Sequence, residues 1–110
     1  MEGFIQVVTT TEQKEDAERI AQSLVEKRLA ACVQILGPVR SVYRWKGRIE
    51  TAGEWLCLAK SRAELFGAIE QTIRVLHPYE TPEILAVPVA DGSRAYLDWL
   101  RDETAAPCEA

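Results

Sequence analysis

Val39-Arg40-Ser41-Val42-Tyr43-Arg44-Trp45-Lys46-Gly47-Arg48-Ile49-Glu50-Thr51-Ala52-Gly53-Glu54-Trp55-Leu56-Cys57-Leu58-Ala59-Lys60 reads as two β-strands joined by a tight turn at Lys46-Gly47. Cys32 to Ile35 carries the first strand backwards, with Gly37-Pro38 as a bulge or kink, because proline donates no ladder hydrogen bond. An arm of roughly 13 to 16 residues at about 3.3 Å each would span roughly 40 to 50 Å, against a globule of roughly 35 Å for this length. The arm therefore overhangs its domain unless Gly37-Pro38 splits it into two ordinary strands. It carries Tyr43, Trp45 and Trp55, and exposed aromatics on an open-edged hairpin call for cover by another chain. Homo-oligomerisation is the expectation.

Working outward, Phe4 to Val8 is a short apolar run with the composition of a buried strand. Thr10 and Gln13 have capping-box spacing, and Ala17, Ile20, Ala21 and Leu24 give a helical stripe, which predicts a helix over about 12–28 with Lys27 and Arg28 in its last turn. Ser61 and Glu64 repeat the capping-box spacing before the stripe Leu65, Ile69, Ile73 and Leu76, a second helix that Pro78 must stop. Glu83 to Val89 is a last strand, confined by Pro88 to an edge or bulge, and Asp91-Gly92-Ser93 leads into a short helix with Tyr96, Leu97 and Leu100. The order is βαββαβ, a ferredoxin-like α+β sandwich with both long helices on one face of an antiparallel sheet and the other face open. Residues 1–102 form one domain and 103–110 a frayed tail.

The 110 residues carry 17 acidic and 13 basic side chains, a net charge of −4. A nucleic-acid binder needs the opposite excess to displace counterions from phosphates. Nor does the third strand have the basic, aromatic pattern of an RNA-recognition domain, and Thr9-Thr10-Thr11-Glu12 lacks the glycine-rich cradle of an acylphosphatase-type site. No apolar run approaches the roughly 20 residues that cross a bilayer, so no membrane partner is expected. Cys32, Cys57 and Cys108 form no C-x-x-C pair and read as reduced thiols of a cytoplasmic protein.

His77-Pro78-Tyr79-Glu80-Thr81-Pro82 is the most distinctive local string, two prolines stiffening a loop with an imidazole, a phenol and a carboxylate. His77, the one histidine, either presents a ligand or simply ends the second helix. Cys32 and Cys57 read as inert core thiols, with Cys32 the weaker alternative metal ligand. Glu54 and Lys60 lie an even number of positions apart and share a face, as a polar patch or as peripheral charge. No base, nucleophile and orienting group stand together, so an enzyme is not expected.

Glu26 to Cys32, Ser41 to Glu50 and His77 to Ile84, extended by Tyr96-Leu97-Asp98-Trp99-Leu100, closely resemble the CutA divalent-ion tolerance family over residues 4–101. The resemblance implies a cytosolic homotrimer, hairpins wrapped around neighbouring subunits, and a cleft between each pair holding a metal ion or small ligand. The implied cleft walls are Tyr43, Trp45, Glu54, Lys60, Tyr79 and Glu80. Copper ligands proposed in some bacterial members are a cysteine at the end of the first strand and two adjacent histidines; here those positions hold Thr9, Leu76 and His77. Cu(II) favours several nitrogen or oxygen ligands, so binding of copper or another divalent cation is expected to be weak. The alternative is a signalling trimer like the PII proteins, or a structural scaffold with no metal role.

Overall fold

The computed structural model describes residues 3–105. β1 (Phe4–Thr11), α1 (Lys14–Glu26), β2 (Cys32–Trp45), β3 (Arg48–Arg62), a 3-10 turn (Ala63–Leu65), α2 (Phe66–Leu76), β4 (Leu85–Pro88) and α3 (Arg94–Glu103) follow in order. The antiparallel sheet has the strand order β2-β3-β1-β4 of a ferredoxin-like fold. Period-2 alternation sends Ile5, Val7 and Thr9 of β1, with their partners Ser61, Ala59 and Cys57 of β3, to one face. There they meet the expected helix stripes, Ala17, Ile20 and Leu24 from α1 and Ile69 and Ile73 from α2, all nearly inaccessible to solvent. α3 lies at one end of the opposite face, where Arg101 stacks 5.2 Å from the Phe4 ring centroid.

Both capping boxes predicted from the sequence are absent. Thr10 stays in β1, because pairing with β3 continues to Thr11↔Trp55, and α1 begins at Lys14, after an N-cap residue, Gln13, that makes no side-chain capping bond. Ser61 stays in β3, where its buried hydroxyl donates to the Leu29 carbonyl oxygen at 2.5 Å, and the 3-10 turn leads into α2 instead. Strand pairing outcompetes capping at both points.

α1 ends at Glu26, short of the predicted last turn. Arg28 follows in the left-handed region at φ +59°, its N–H on the Val25 carbonyl and the Leu29 N–H on the Leu24 carbonyl, a Schellman closure without the usual glycine. The Arg28 guanidinium then donates to the Asp102 and Glu103 carbonyl oxygens at 2.6 and 3.2 Å. Arg62 donates to both the hydroxyl and carbonyl oxygens of Thr104. With these contacts Glu103 is helical and Thr104 buried. Cys108 and the rest of the expected tail lie outside the described residues.

β2 is continuous through Gly37-Pro38, a cis peptide. Pairing runs Cys32↔Lys60 to Leu36↔Leu56, then resumes at Val39↔Glu54, so Gly37 and Pro38 together oppose the single residue Trp55. That bulge moves the side-chain parity of β2 by one. Cys32, Gln34 and Leu36 point to the same face as Ser41, Tyr43 and Trp45 farther on. Gly37 is required by close approach: a Cβ there would lie 2.7 Å from Trp55 Cε3 and 3.1 Å from the Glu54 carbonyl oxygen. Beyond the bulge, Val39–Trp45 and Arg48–Glu54 pair only with each other, and Lys46 and Gly47 turn the ribbon with φ values of +51° and +81°. The radius of gyration is 14.4 Å, against about 13 Å for a compact domain of this length. The ribbon overhangs, as the sequence suggests.

Candidate functional site

β4 pairs with β1 only from Ile5 to Val8. Above that point the loop from His77 to Glu83 stands in for a strand. His77 is buried, and its Nε2–H donates to the Thr10 carbonyl oxygen at 2.7 Å. Its Nδ1 accepts the Tyr79 backbone N–H at 3.2 Å, which sets the tautomer. The two rings lie 4.6 Å apart at 58°. The Tyr79 hydroxyl then donates to Glu54 Oε2 at 2.6 Å. A chain of hydrogen bonds thus runs from β1 through His77 and Tyr79 to β3.

Between this loop and the ribbon lies a cleft of about 560 Å³, lined by Thr10, Ser41, Val42, Tyr43, Trp45, Glu54, Tyr79, Glu80, Thr81 and Glu83. Three carboxylates line it, and among the described residues no Lys, Arg or His does. Glu54 is only 7% exposed. Burial, and then the hydrogen bond to Glu54, push the Tyr79 hydroxyl well above the ordinary phenol range. Partial burial, and then the Glu54 charge, raise the Glu83 carboxyl. The cleft is an electronegative, partly aromatic hollow of small-molecule size.

Five of the predicted wall residues, Tyr43, Trp45, Glu54, Tyr79 and Glu80, meet around this cleft. Lys60 does not. It shares the face of Glu54, as expected, but six residues along the strand, about 20 Å away, where its Nζ donates to Gln34 Oε1 at 2.8 Å. Cys32 pairs with Lys60 at that same far end, so Cys32 and His77 do not converge. Both His77 nitrogens are engaged internally, and among the described residues no three His, Cys, Asp or Glu side chains are grouped to hold a metal. The copper set implied by resemblance therefore does not fit: Thr9 is buried in the core, and His77 is a positioning residue for Tyr79. Cys57 is buried, and desolvation pushes its thiol up to about 11.

Glu83 escaped the sequence reading because it was assigned to a strand that begins only at Leu85. Its place one residue after Pro82, in the same stiff loop as Glu80, is the signal that could have found it. Ser41 was hidden by the bulge; once parity is known, it stands two positions before Tyr43 on the same side.

The architecture defines the class of ferredoxin-like sandwiches that carry a long projecting ribbon with a cleft beside it. The family model described as "CutA1 divalent ion tolerance protein" matches residues 5–103, and the chain belongs to that family. The divalent-cation tolerance protein CutA of Thermus thermophilus is 46% identical over 98 residues, 89% of this chain and 95% of that protein. A solved structure from the same organism superimposes with a TM-score of 0.90 at 44% identity, covering 93% of this chain and 99% of that one. The Archaeoglobus fulgidus structure, described as a periplasmic divalent cation tolerance protein, gives 0.88 at 38% identity, covering 91% and 97%. Neither the family description nor these names carry an enzymatic activity. Among the described residues no helix is long and apolar enough to cross a membrane.

Proposed function

We propose that this chain acts as a non-enzymatic homotrimer in divalent-cation tolerance, binding a small ligand in the cleft beneath each ribbon. The cleft itself carries this reading: about 560 Å³ of electronegative space, with a buried carboxylate at its base and aromatic side chains on its walls. Trimer formation is supported by the ribbon, an unsupported two-stranded segment in which Val42 and Ile49 are 63% and 69% exposed. Leu36, Leu85 and Val87 add apolar surface on the sheet face not covered by α1 and α2. A neighbouring copy that covers the ribbon would close the cleft from outside and make it intersubunit. Cytoplasmic residence is supported by the free Cys32 and Cys57.

Light scattering after size exclusion, followed by native mass spectrometry of untagged protein purified without chelator, tests the reading. A trimer carrying a stoichiometric small molecule or ion is the expected result. A stable monomer at micromolar concentration would refute the assembly, and a trimer with nothing bound would favour a scaffold.

A further inference from the structure

Resting on the cleft-binding reading, we infer that the ligand class is an extended organic cation, a linear aliphatic diamine or polyamine, rather than a bare metal ion. Glu54 is nine-tenths buried, and only its Oε2 is satisfied, by Tyr79; Oε1 has no hydrogen bond among the described residues. Oε1 is left for the cleft that Glu54 lines, and a ligand N–H reaching it would make a charge-assisted hydrogen bond. Glu80 and Glu83 add two more negative side chains to the same hollow, and among the described residues no cationic side chain lines it.

A divalent metal matches this poorly. Mg²⁺ and Ca²⁺ take about six to eight oxygens in a tight shell, whereas the carboxylates here are not grouped to hold a metal and the space exceeds what one ion fills. A chain of methylenes between two ammonium groups matches it well. One ammonium donates to Glu54 Oε1, the other faces Glu80 and Glu83, and the stem lies along Tyr43, whose ring also attracts a cation. Trp45 already shows this chemistry, with the Lys46 ammonium 5.6 Å from its ring centroid.

Isothermal titration of the full chain with 1,5-diaminopentane at low ionic strength tests the assignment, with n-pentylamine, tetramethylammonium and magnesium chloride titrated in parallel. Saturable binding of the diamine at one site per chain is expected, tighter than n-pentylamine and much tighter than tetramethylammonium, which has no N–H to donate. Glu54→Gln should weaken diamine binding about tenfold or more, and Glu83→Gln should weaken it less. Because Glu54→Gln also alters the Tyr79 contact, Tyr43→Ala serves as the second variant, expected to weaken the diamine with the circular dichroism spectrum unchanged. Equal diamine affinity in wild type and both Glu variants would overturn the inference, as would magnesium binding that depends on Glu54 while the diamine fails to bind. That last outcome would leave the cleft-binding reading standing. No binding of any probe, with Glu54→Gln dissociating the assembly, would overturn both, since a neighbouring copy's own cation would then occupy Glu54.

Discussion

Gly37→Ala places a methyl group where the Trp55 ring already stands. The nearest atoms to the added carbon would be Trp55 Cε3 at 2.7 Å, Trp55 Cδ2 at 3.0 Å and the Glu54 carbonyl oxygen at 3.1 Å. Backbone oxygen cannot swing aside, and the Trp55 ring is held between the bulge and the Lys14 ammonium, 5.2 Å from its centroid. Relief therefore requires the bulge to open or the indole to leave its place. Overpacking of this kind costs about 1–3 kcal/mol, and a displaced cation–π contact adds about 0.5–1 kcal/mol at an exposed site. Urea unfolding of wild type and variant at one fixed protein concentration, followed by far-UV circular dichroism, reads the difference, because an oligomer's apparent stability depends on concentration. A loss of about 1–4 kcal/mol with a changed near-UV tryptophan signal is expected. An alanine variant as stable as wild type, with its tryptophan signal unaltered, would refute the account of how the bulge is held.

Three further outcomes follow from the same geometry. Tyr79→Phe removes the donor to Glu54 Oε2 and should cost about 1.5–3 kcal/mol, the worth of a hydrogen bond to a charged group, again by urea unfolding; no loss would mean that solvent replaces the phenol freely. Glu83 has a native pKa above its usual 4.5, so ionising it destabilises the fold: that cost is absent below pH 4.5 and enters as pH rises through the raised native value. Glu83→Gln should therefore be more stable than wild type at pH 7 and equal to it near pH 4, by thermal unfolding at both values; a constant difference would remove the titration from the explanation. At Arg28, both Gly and Ala lose the clasp on Asp102 and Glu103, but only Ala keeps a side chain at φ +59°, so Arg28→Ala should fall below Arg28→Gly by about 1 kcal/mol. The reverse order would argue against the left-handed closure.

Where local chemistry governed, the sequence was readable. Lys46-Gly47 announces its turn, the stripes through Ile20 and Ile69 mark the buried helix faces, and Pro88 confines β4 to the sheet edge. Features decided by partners remote in sequence were not. Thr10 and Ser61 have the spacing of helix caps, yet cross-strand pairing keeps both in strands. Arg28 occupies a glycine-like conformation because carbonyls some seventy-five residues away hold its guanidinium. Of the cleft walls that the family resemblance implies, Tyr43, Trp45, Glu54, Tyr79 and Glu80 lie around one hollow, whereas Lys60, which shares the face of Glu54, lies at the far end of β3 beside Cys32, because a shared face does not fix distance along a strand. His77 was legible as the centre of its loop but not as spent on it, since the Thr10 carbonyl that occupies Nε2 arrives from β1.

The two-against-one pairing at Trp55 also limits how this protein can change length. Inserting or deleting a single residue of β2 between Pro38 and the hairpin tip would swap the roles of its alternating side chains and turn Tyr43 and Trp45 away from the carboxylates. Only matched changes of two residues in each strand preserve the arrangement, so ribbon length is quantised. A designer wishing to enlarge the cleft has to extend the arm in those steps.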